Sequence, residues 1–534
     1  MPVARAHSVA LVGVEGYPVE IETDIENGLP CLLLVGLPDT ALREARDRIR
    51  AAVINSREQW PQRRITVGLS PASLPKRGSG FDLGIAASIL AAAGAVPRAA
   101  IEDVVFIGEL GLDGRVRAVR GVLPAVAAAA GAGFRKVIVA AANVAEAMLV
   151  PGLRVAGAPS LAALLAWLRG EPGAAEVVGE RESGEGPLRP GTARPSPVSP
   201  GPDPSQPSRD GGRPLPQPDL ADVLGQPVAR RAAEICAAGG HHLSLLGPPG
   251  AGKTMLAERI PTIMPALDRS AALEVTSIHS VAGTLPADCP LMTRPPFCAP
   301  HHTATKAAIV GGGSGVIRPG AASLAHRGCL FLDEAPEFGR DVLDALRQPL
   351  ESGEIILARS GLTAHFPARF ILVLAANPCP CAKGASSGSA CTCSPAVRRR
   401  YLARLSGPLL DRVDLKVELL PVTRAELLSD RRFTEPSTVV AARVEAARSR
   451  AEWRLKDTPW RLNAEVPGSQ LRRSFPPVPQ ALAPLERAMD LGEISARGVD
   501  RVLRVAWTLA DLAAVGRPTV TQTSYALGLW LGAG

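Results

Sequence analysis

One short stretch limits the fold of this chain more than any other. An apolar run, His242-Leu-Ser-Leu-Leu246, breaks at the turn Gly247-Pro248-Pro249-Gly250-Ala251-Gly252 and resumes as a helix-like segment from Lys253 and Thr254 through Ile260. Strand, glycine-rich turn and helix in that order build an anion cradle. The glycines let backbone N–H groups curl round a phosphate, and the helix start adds the positive end of its dipole. Lys253 then reaches the outer phosphates, and Thr254 offers a hydroxyl to Mg²⁺. The bland alternative is a glycine turn with no ligand, which the flanking strand and helix argue against. The pattern predicts an α/β core that binds ATP.

Two further apolar runs complete such a site. Cys329-Leu-Phe-Leu332 ends in Asp333 and Glu334, as a buried parallel strand delivering acids to the carboxyl edge of a sheet would. Asp333 is placed to hold Mg²⁺ through its water shell and Glu334 to polarise the attacking water. Phe370-Ile-Leu-Val-Leu-Ala-Ala376 ends at Asn377, whose amide both donates and accepts, so it either orients that water or holds an ordinary turn. In Gly407-Pro-Leu-Leu-Asp411-Arg412-Val-Asp414, the guanidinium of Arg412 suits charge spreading over a transferring phosphoryl group, with a salt bridge to Asp411 or Asp414 as the alternative.

At 534 residues the chain exceeds one core, and several domains are expected. The chain has 52 Gly and 50 Pro, and the excess gathers between Glu171 and Pro218, where almost nothing apolar is available to bury, so 169–217 reads as a Pro-stiffened disordered linker. The net charge of +8 is thin over this length. The densest basic run, Arg398-Arg399-Arg400-Tyr401 with Arg404 behind it, is a solvated face as readily as a nucleic-acid contact. No run approaches the roughly 20 apolar residues that span a bilayer, and the Met1 to Gly16 start lacks a basic segment followed by a long apolar one. No membrane partner and a cytoplasmic location are expected. Nine cysteines fit that, five of them (Cys31, Cys236, Cys289, Cys298 and Cys329) scattered without a disulfide framework.

The other four form two pairs, Cys379-Pro-Cys381 and Cys391-Thr-Cys393. In extended chain, residues i and i+2 point the same way, so each pair can bite one ion. Four thiolates round Zn²⁺ would stiffen the intervening Gly/Ser-rich loop; free or redox-active thiols are the alternative. Glu354 to Phe370 reads as two strands joined at Ser360-Gly361. Its Arg359 and Arg369 are candidates for gripping a phosphate backbone, a purely structural hairpin being the other reading. His301 and His302 stay unassigned, since nothing in the sequence fixes their distance from other candidate groups.

These segments in this order resemble the magnesium-chelatase-like AAA+ ATPases, and more closely their YifB/ComM branch. The likeness is carried by Asp219 to Gln226, Ala299-Pro-His301-His302, Gly311-Gly-Gly-Ser314, Arg318 to Phe338 (RPGAASLAHRGCLFLDEAPEF), Ala375 to Cys381 and Ser406 to Arg412. It implies an AAA+ P-loop domain at 218–418 and a helical lid of the magnesium-chelatase C-terminal type at 419–534. It also implies that Arg412 is an arginine finger acting on a neighbour's ATP, that Arg497 is the sensor-2 arginine, and that the assembly is a homo-hexamer. Hairpins of this clade are expected to point into the ring pore. Two departures are Arg318-Pro-Gly-Ala-Ala-Ser323, where the family usually carries an acid, and Gly240-His241-His242 in place of Gly-His-Asn.

Residues 1–168 alternate strand-like and helical segments, such as Cys31 to Val35, Arg64 to Gly68 and Lys136 to Ala140, as a compact α/β domain does. It resembles the Lon-protease-like domain of the family, of the ribosomal protein S5 domain 2-like fold, through Gly36-Leu-Pro-Asp39, Pro75 to Leu83 and Gly108 to Arg115. Lon peptidases need a Ser-Lys pair. Aligned on their motifs, the nucleophile position falls at Gly80 and the lysine position at Leu123, with Ser79 one place off, so peptidase activity is not expected. The resemblance favours a motor that remodels single-stranded or branched DNA, by branch migration or helicase-like action in natural transformation or recombination. Its alternatives are a magnesium-chelatase motor subunit and an ATP-dependent protein remodeller or peptidase.

Overall fold

The computed structural model describes residues 3–36, 39–74, 76, 78–179, 181–182, 218–286, 289–313, 317–359, 362–381, 391, 393–424, 426, 430 and 434–532. Strands β1 (Ala4–Val12), β2 (Glu15–Glu26), β3 (Cys31–Val35), β4 (Arg64–Ser70), β5 (Val104–Ile107), β6 (Lys136–Ala140), β7 (Arg154–Ala158) and β8 (Arg181–Glu182) form one mixed sheet in the order β8-β7-β6-β5-β1-β2-β4-β3. On β2, buried Val19, Ile21, Thr23 and Ile25 alternate with Glu20, Glu22 and Asp24, the period of a strand with one packed face. Helix α1 (Asp39–Asn55) and helix α2 (Asp82–Ala92) cover that face, and α2 is buried from Asp82 to Ala91. Helix α3 (Val122–Gly131) covers the other, packing Val122 and Val126 on Val105 and Ile107 of β5. With helices on both faces, β5 is buried at all four positions.

The N-terminal unit runs past the boundary expected at residue 168. Ala174–Val178 is helical, with Ala174 and Val178 buried, and Arg181 and Glu182 pair with Val155 and Arg154. The apolar side chains within this polar stretch supply the anchor. Residues 183–217, the rest of the expected linker, lie outside the described residues.

The second sheet contains β9 (Leu243–Leu246), β10 (Phe297–Cys298), β11 (Cys329–Leu332), β14 (Ile371–Ala376) and β15 (Leu415–Glu418), all parallel, in the order β10-β11-β14-β9-β15. Between β11 and β14 stands a hairpin of β12 (Glu354–Arg359) and β13 (Leu362–Pro367). Helix α4 (Pro227–Gly239) precedes β9. Pro227 opens it and left-handed Gly240 closes it, the Gly240 N–H returning to Cys236 O. Helix α5 (Lys253–Ala257) follows the glycine turn and stops short of Ile260, because Pro261 has no N–H to continue the ladder; a separate turn spans Ile260–Ile263. Beyond it lie α6 (Arg269–Ala282), α7 (Lys306–Val310), α8 (Pro395–Leu402), α9 (Ser437–Leu455), α10 (Ala496–Leu512) and α11 (Val520–Leu531).

The last three helices share one core with the sheet. Leu503, Val505 and Ala506 of α10 pack with Val444 of α9, Leu529 of α11 and Leu415 of β15. Beneath them runs a buried polar chain. Arg501 donates to Asp414 at 2.6 Å, His241 meets Thr508 at 2.7 Å, Asn463 donates to Thr508 and Asp511, and Arg454 donates to Asp511. Burial would raise the Asp414 pKa, but Arg501 and His241 outweigh it and hold that carboxyl well below its ordinary range.

The N-terminal unit also touches the second sheet's surroundings. Gly121 N donates to Ser280 O of α6 at 3.2 Å, and Val12 of β1 shares a small apolar cluster with Ile317 and with Ala364 and Phe366 of β13. The hairpin thus has its inner side chains against the N-terminal sheet. Its tip, Ser360-Gly361, and the Arg359 side chain lie outside the described residues.

Candidate nucleotide site

The parallel register sets the site. Leu246 of β9 lies opposite Ala376 of β14, and Leu332 of β11 opposite Leu374, so the segments leaving three strands emerge together at the carboxyl edge, where α/β sheets bind ligands. Gly250 and Gly252 take φ of 79° and 90°, a left-handed backbone that suits glycine. Pro248 and Pro249 precede these bends and Ala251 lies between them, its N–H returning to Pro248 O at 3.2 Å.

Lys253, 7% exposed, donates to Gly247 O at 2.6 Å, Pro248 O at 3.0 Å and Asn377 Oδ1 at 3.0 Å. Burial lowers its pKa, and Asp333 and Glu334 oppose that. Thr254 Oγ1 donates to Asp333 Oδ2 at 2.7 Å. Asp333 Oδ1 accepts the Glu334 N–H at 2.9 Å, and Glu334 Oε2 lies 3.2 Å from His302 Nδ1. The structure therefore brings Lys253, Thr254, Asp333, Glu334 and Asn377 together. An ammonium held over a glycine-rich cradle, with a hydroxyl and a carboxylate beside it, matches the donor set a nucleoside triphosphate and its Mg²⁺ require.

Two candidate arginines sit elsewhere. Arg412 donates to Pro408 O and to Glu351. Burial lowers its pKa, as do the charges of Arg347, Arg501 and Arg497. Among the described residues no hydrogen bond or ion pair joins Arg412 or Arg497 to Lys253 or Thr254. Arg369 reaches Glu465 at 3.8 Å. Arg398, Arg399 and Arg400 are exposed on α8, and Tyr401 is buried.

The Sγ atoms of Cys379, Cys381, Cys391 and Cys393 all lie within 4.8 Å of one another. Three pairs stand at 3.0, 3.4 and 3.5 Å, and a tetrahedral Zn²⁺ with bonds of about 2.3 Å separates its sulfurs by about 3.8 Å. The four thiols fit such an ion. Cys379 lies two residues beyond Asn377, which follows the end of β14 at Ala376, so this cluster adjoins the nucleotide edge.

Where the N-terminal unit meets the second, Ser79, Gly80, Glu109, Arg120 and Arg318 line a cavity of about 400 Å³. Ser79 donates to Glu109. The nearby Lys76 is fully buried and turned to the carbonyls of Pro71 and Leu74. Leu123, aligned with a peptidase lysine, is buried apolar core. Among the described residues Ser79 is bonded to a carboxylate and to no amine that could take its proton.

Sequence reasoning missed two partners. His302 stood in the sequence as an unassigned histidine and meets Glu334, while Arg501 and Asp414, 87 residues apart, form a buried pair. Only the register of neighbouring strands and the docking of α10 reveal them.

Known families cover most of the chain. The family described as magnesium chelatase, subunit ChlI, matches residues 219–427; a second, subunit ChlI of Mg-chelatase, matches 21–143; and a third, the ChlI C-terminal family, matches 434–529. An uncharacterised protein of Mycobacterium tuberculosis is 52% identical over 99% of this chain and 98% of its own length. YifB of Escherichia coli and the competence protein ComM of Haemophilus influenzae are each 40% identical over 96% of this chain and 94% of theirs. With full-length identity at that level and the parallel nucleotide-type sheet beneath it, the chain belongs to the YifB/ComM family of magnesium-chelatase-like AAA+ proteins.

Proposed function

We propose that this chain is an ATP-hydrolysing ring motor that remodels single-stranded or branched DNA. The observation that carries the ATPase reading is the cluster of Lys253, Thr254, Asp333, Glu334 and Asn377 at one sheet edge. Gly247 to Gly252 and Lys253 hold the phosphates, Thr254 and Asp333 hold Mg²⁺, Glu334 takes the proton of the attacking water, and Asn377 orients that water. Bound Mg²⁺ supplies charge neutralisation on the phosphates. The fold supports an AAA+ domain over 218–418 and a helical lid over 419–534, following a Lon-protease-like domain inactive as a peptidase.

Among the described residues Arg412 makes no hydrogen bond or ion pair to its own P-loop, which supports its service as an arginine finger to the ATP of a neighbouring subunit in a homo-hexamer, with Arg497, whose charge acts on Arg412, as the sensor-2 arginine of the lid. The exposed Arg398 to Arg400 face and a relative named for competence support DNA as the substrate. In this reading Zn²⁺ occupies the four-cysteine cluster as a structural ion; elemental analysis finding no zinc, with four freely titrating thiols, sinks it.

The function is tested by ATP turnover with single-stranded DNA, branched DNA, porphyrin with Mg²⁺, and casein, with Glu334→Gln as the inactive control. Stimulation by a DNA form is expected. Stimulation by porphyrin alone turns the reading to metal insertion, which the chelatase family descriptions favour as the second reading. Stimulation by casein alone turns it to protein remodelling, and no ATP-dependent DNA binding overturns the DNA reading. For the ring, mixing Arg412→Ala with Lys253→Ala subunits restores part of the turnover only where each site is shared.

A further inference from the structure

The C-terminal helices carry a large side chain that their core does not use. Along α9 the buried apolar residues Val440, Val444, Ala447, Ala451 and Leu455 recur every three or four positions, the spacing of one packed face. Trp453 falls two residues after Ala451, so its ring stands off that face, 74% exposed. It borders a groove of about 560 Å³. The floor of the groove is already satisfied. Trp507 of α10 lies edge-on to Phe475 with centroids 6.5 Å apart and donates its indole N–H to Phe475 O at 3.0 Å, and the Arg454 guanidinium stands 4.2 Å from the centre of the Trp507 ring. The far wall is the end of α10. Ala514 takes φ 55° and donates its N–H to Asp511 O, while the Val515 N–H returns to Ala510 O, so the chain turns back and brings the exposed Arg517 to the rim.

The rim differs from the floor. Arg450, Arg454 and Arg517 line the groove with one carboxylate, Asp511, and that carboxylate is taken up by Arg454 and Asn463 at 2.8 Å each. Among the described residues Arg517 makes no hydrogen bond or ion pair, and the Trp453 indole N–H makes no hydrogen bond. The Trp453 ring meets one cation, Lys456, at 5.7 Å from its centre. An open aromatic face beside free guanidinium, with the local acid neutralised, offers what an unpaired base and its phosphate need, because every base has a π-face to stack and every linkage a charge to neutralise. We propose that this groove binds single-stranded DNA, with one unpaired base stacked on Trp453 and the adjoining phosphate on Arg517 and Arg450. The inference rests on DNA being the substrate of the motor and adds a contact on the C-terminal helices, away from the nucleotide edge.

The test is binding of the full chain to fluorescein-labelled oligo(dT), followed by anisotropy with a non-hydrolysable ATP analogue present. Trp453→Ala is expected to weaken binding about ten-fold, the scale of one stacked base, while Trp453→Phe, which keeps an aromatic face, stays close to wild type. Arg517→Gln is expected to reduce the steepness of log affinity against log salt by about 0.7, the share of one phosphate on a single strand, a steepness that Trp453→Ala leaves unaltered. A blunt DNA duplex, whose bases stack on one another, is expected to bind Trp453→Ala and wild type alike, and an unaltered urea midpoint shows that the variants fold. Unaltered oligo(dT) affinity in Trp453→Ala, or an equal loss on the duplex, overturns the inference and leaves the DNA reading standing on wild-type binding. A loss accompanied by a smaller assembly on size exclusion shows that the groove holds a second copy of the chain, and overturns it too. No binding of oligo(dT), duplex or branched DNA by wild type overturns both.

Discussion

The turn at Gly78 to Gly80 and the turn at Gly247 to Gly252 both open on a cavity or cleft edge, and both have a lysine close by in sequence. At the first, Lys76 is buried against the carbonyls of its own loop and Ser79 faces Glu109. At the second, Lys253 is also bonded to loop carbonyls, but Asn377 completes its shell and Asp333 and Glu334 stand beside it. The difference lies in what the neighbouring strands deliver. Among the described residues, the mixed N-terminal sheet brings one carboxylate and no amine to its serine, whereas the parallel sheet brings two acids and an amide to its lysine. A glycine turn is thus only a frame, and the strand ends around it decide the chemistry.

The largest expected effect breaks or sustains that contrast directly. Glu334→Gln is expected to lower ATP turnover at least about 100-fold, as loss of a general base does, with nucleotide binding retained, while Ser79→Ala leaves turnover unaltered. A matching loss in Ser79→Ala, read by phosphate release, would mean that the N-terminal turn takes part in the reaction.

Next come the buried ion pairs of the two units. Arg501→Leu strands the ionised Asp414 in the core beneath α10, so urea unfolding should show a loss of about 3–5 kcal/mol. Arg48→Leu removes the partner of Asp82, bonded at 2.8 Å, with a smaller loss, because burial already pushes the Asp82 carboxyl up to about 6 and it can protonate instead. Equal losses would show that the two pairs do the same work.

The smallest effect is on pH dependence, and its sign differs between the units. The folded pKa of Asp82, about 6, lies above an unfolded value of about 3.9, so its contribution falls as pH rises from about 4 to about 6. Asp82→Asn should flatten that slope, by up to about 3 kcal/mol at about 1.4 kcal/mol per pH unit. Asp414, held below its ordinary range by Arg501 and His241 against the effect of burial, gives stability that is present above about pH 4 and is lost as pH falls further. Hydrogen exchange followed separately in α2 and α10 across pH 3 to 7 checks both; parallel trends would refute the assignment.

Much of the site was legible before any coordinates. Strands β11 and β14 show as apolar runs followed at once by Asp333 and Asn377, and β9 leads through the glycine turn to Lys253, so Lys253, Asp333, Glu334 and Asn377 could be named from neighbours in the chain. The cysteine pairs were legible for the same reason, their i, i+2 spacing being local. Less legible were Ala174–Val178, hidden in a polar, Gly-rich stretch, and the short end of α5 at Ala257, where Pro261 overrides the helical pattern.

What the sequence by itself determined is therefore the set of local motifs, because strand, turn and helix signals act over a few residues and carry their functional side chains with them. What only the tertiary structure decided is which distant groups meet: Lys253 with Asn377 across 124 residues, Arg501 with Asp414 across 87, and His302 with Glu334. The physical reason is register. Parallel strands are joined by long crossovers, so the lateral order of the sheet and the docking of helices on it, not spacing along the chain, set those distances.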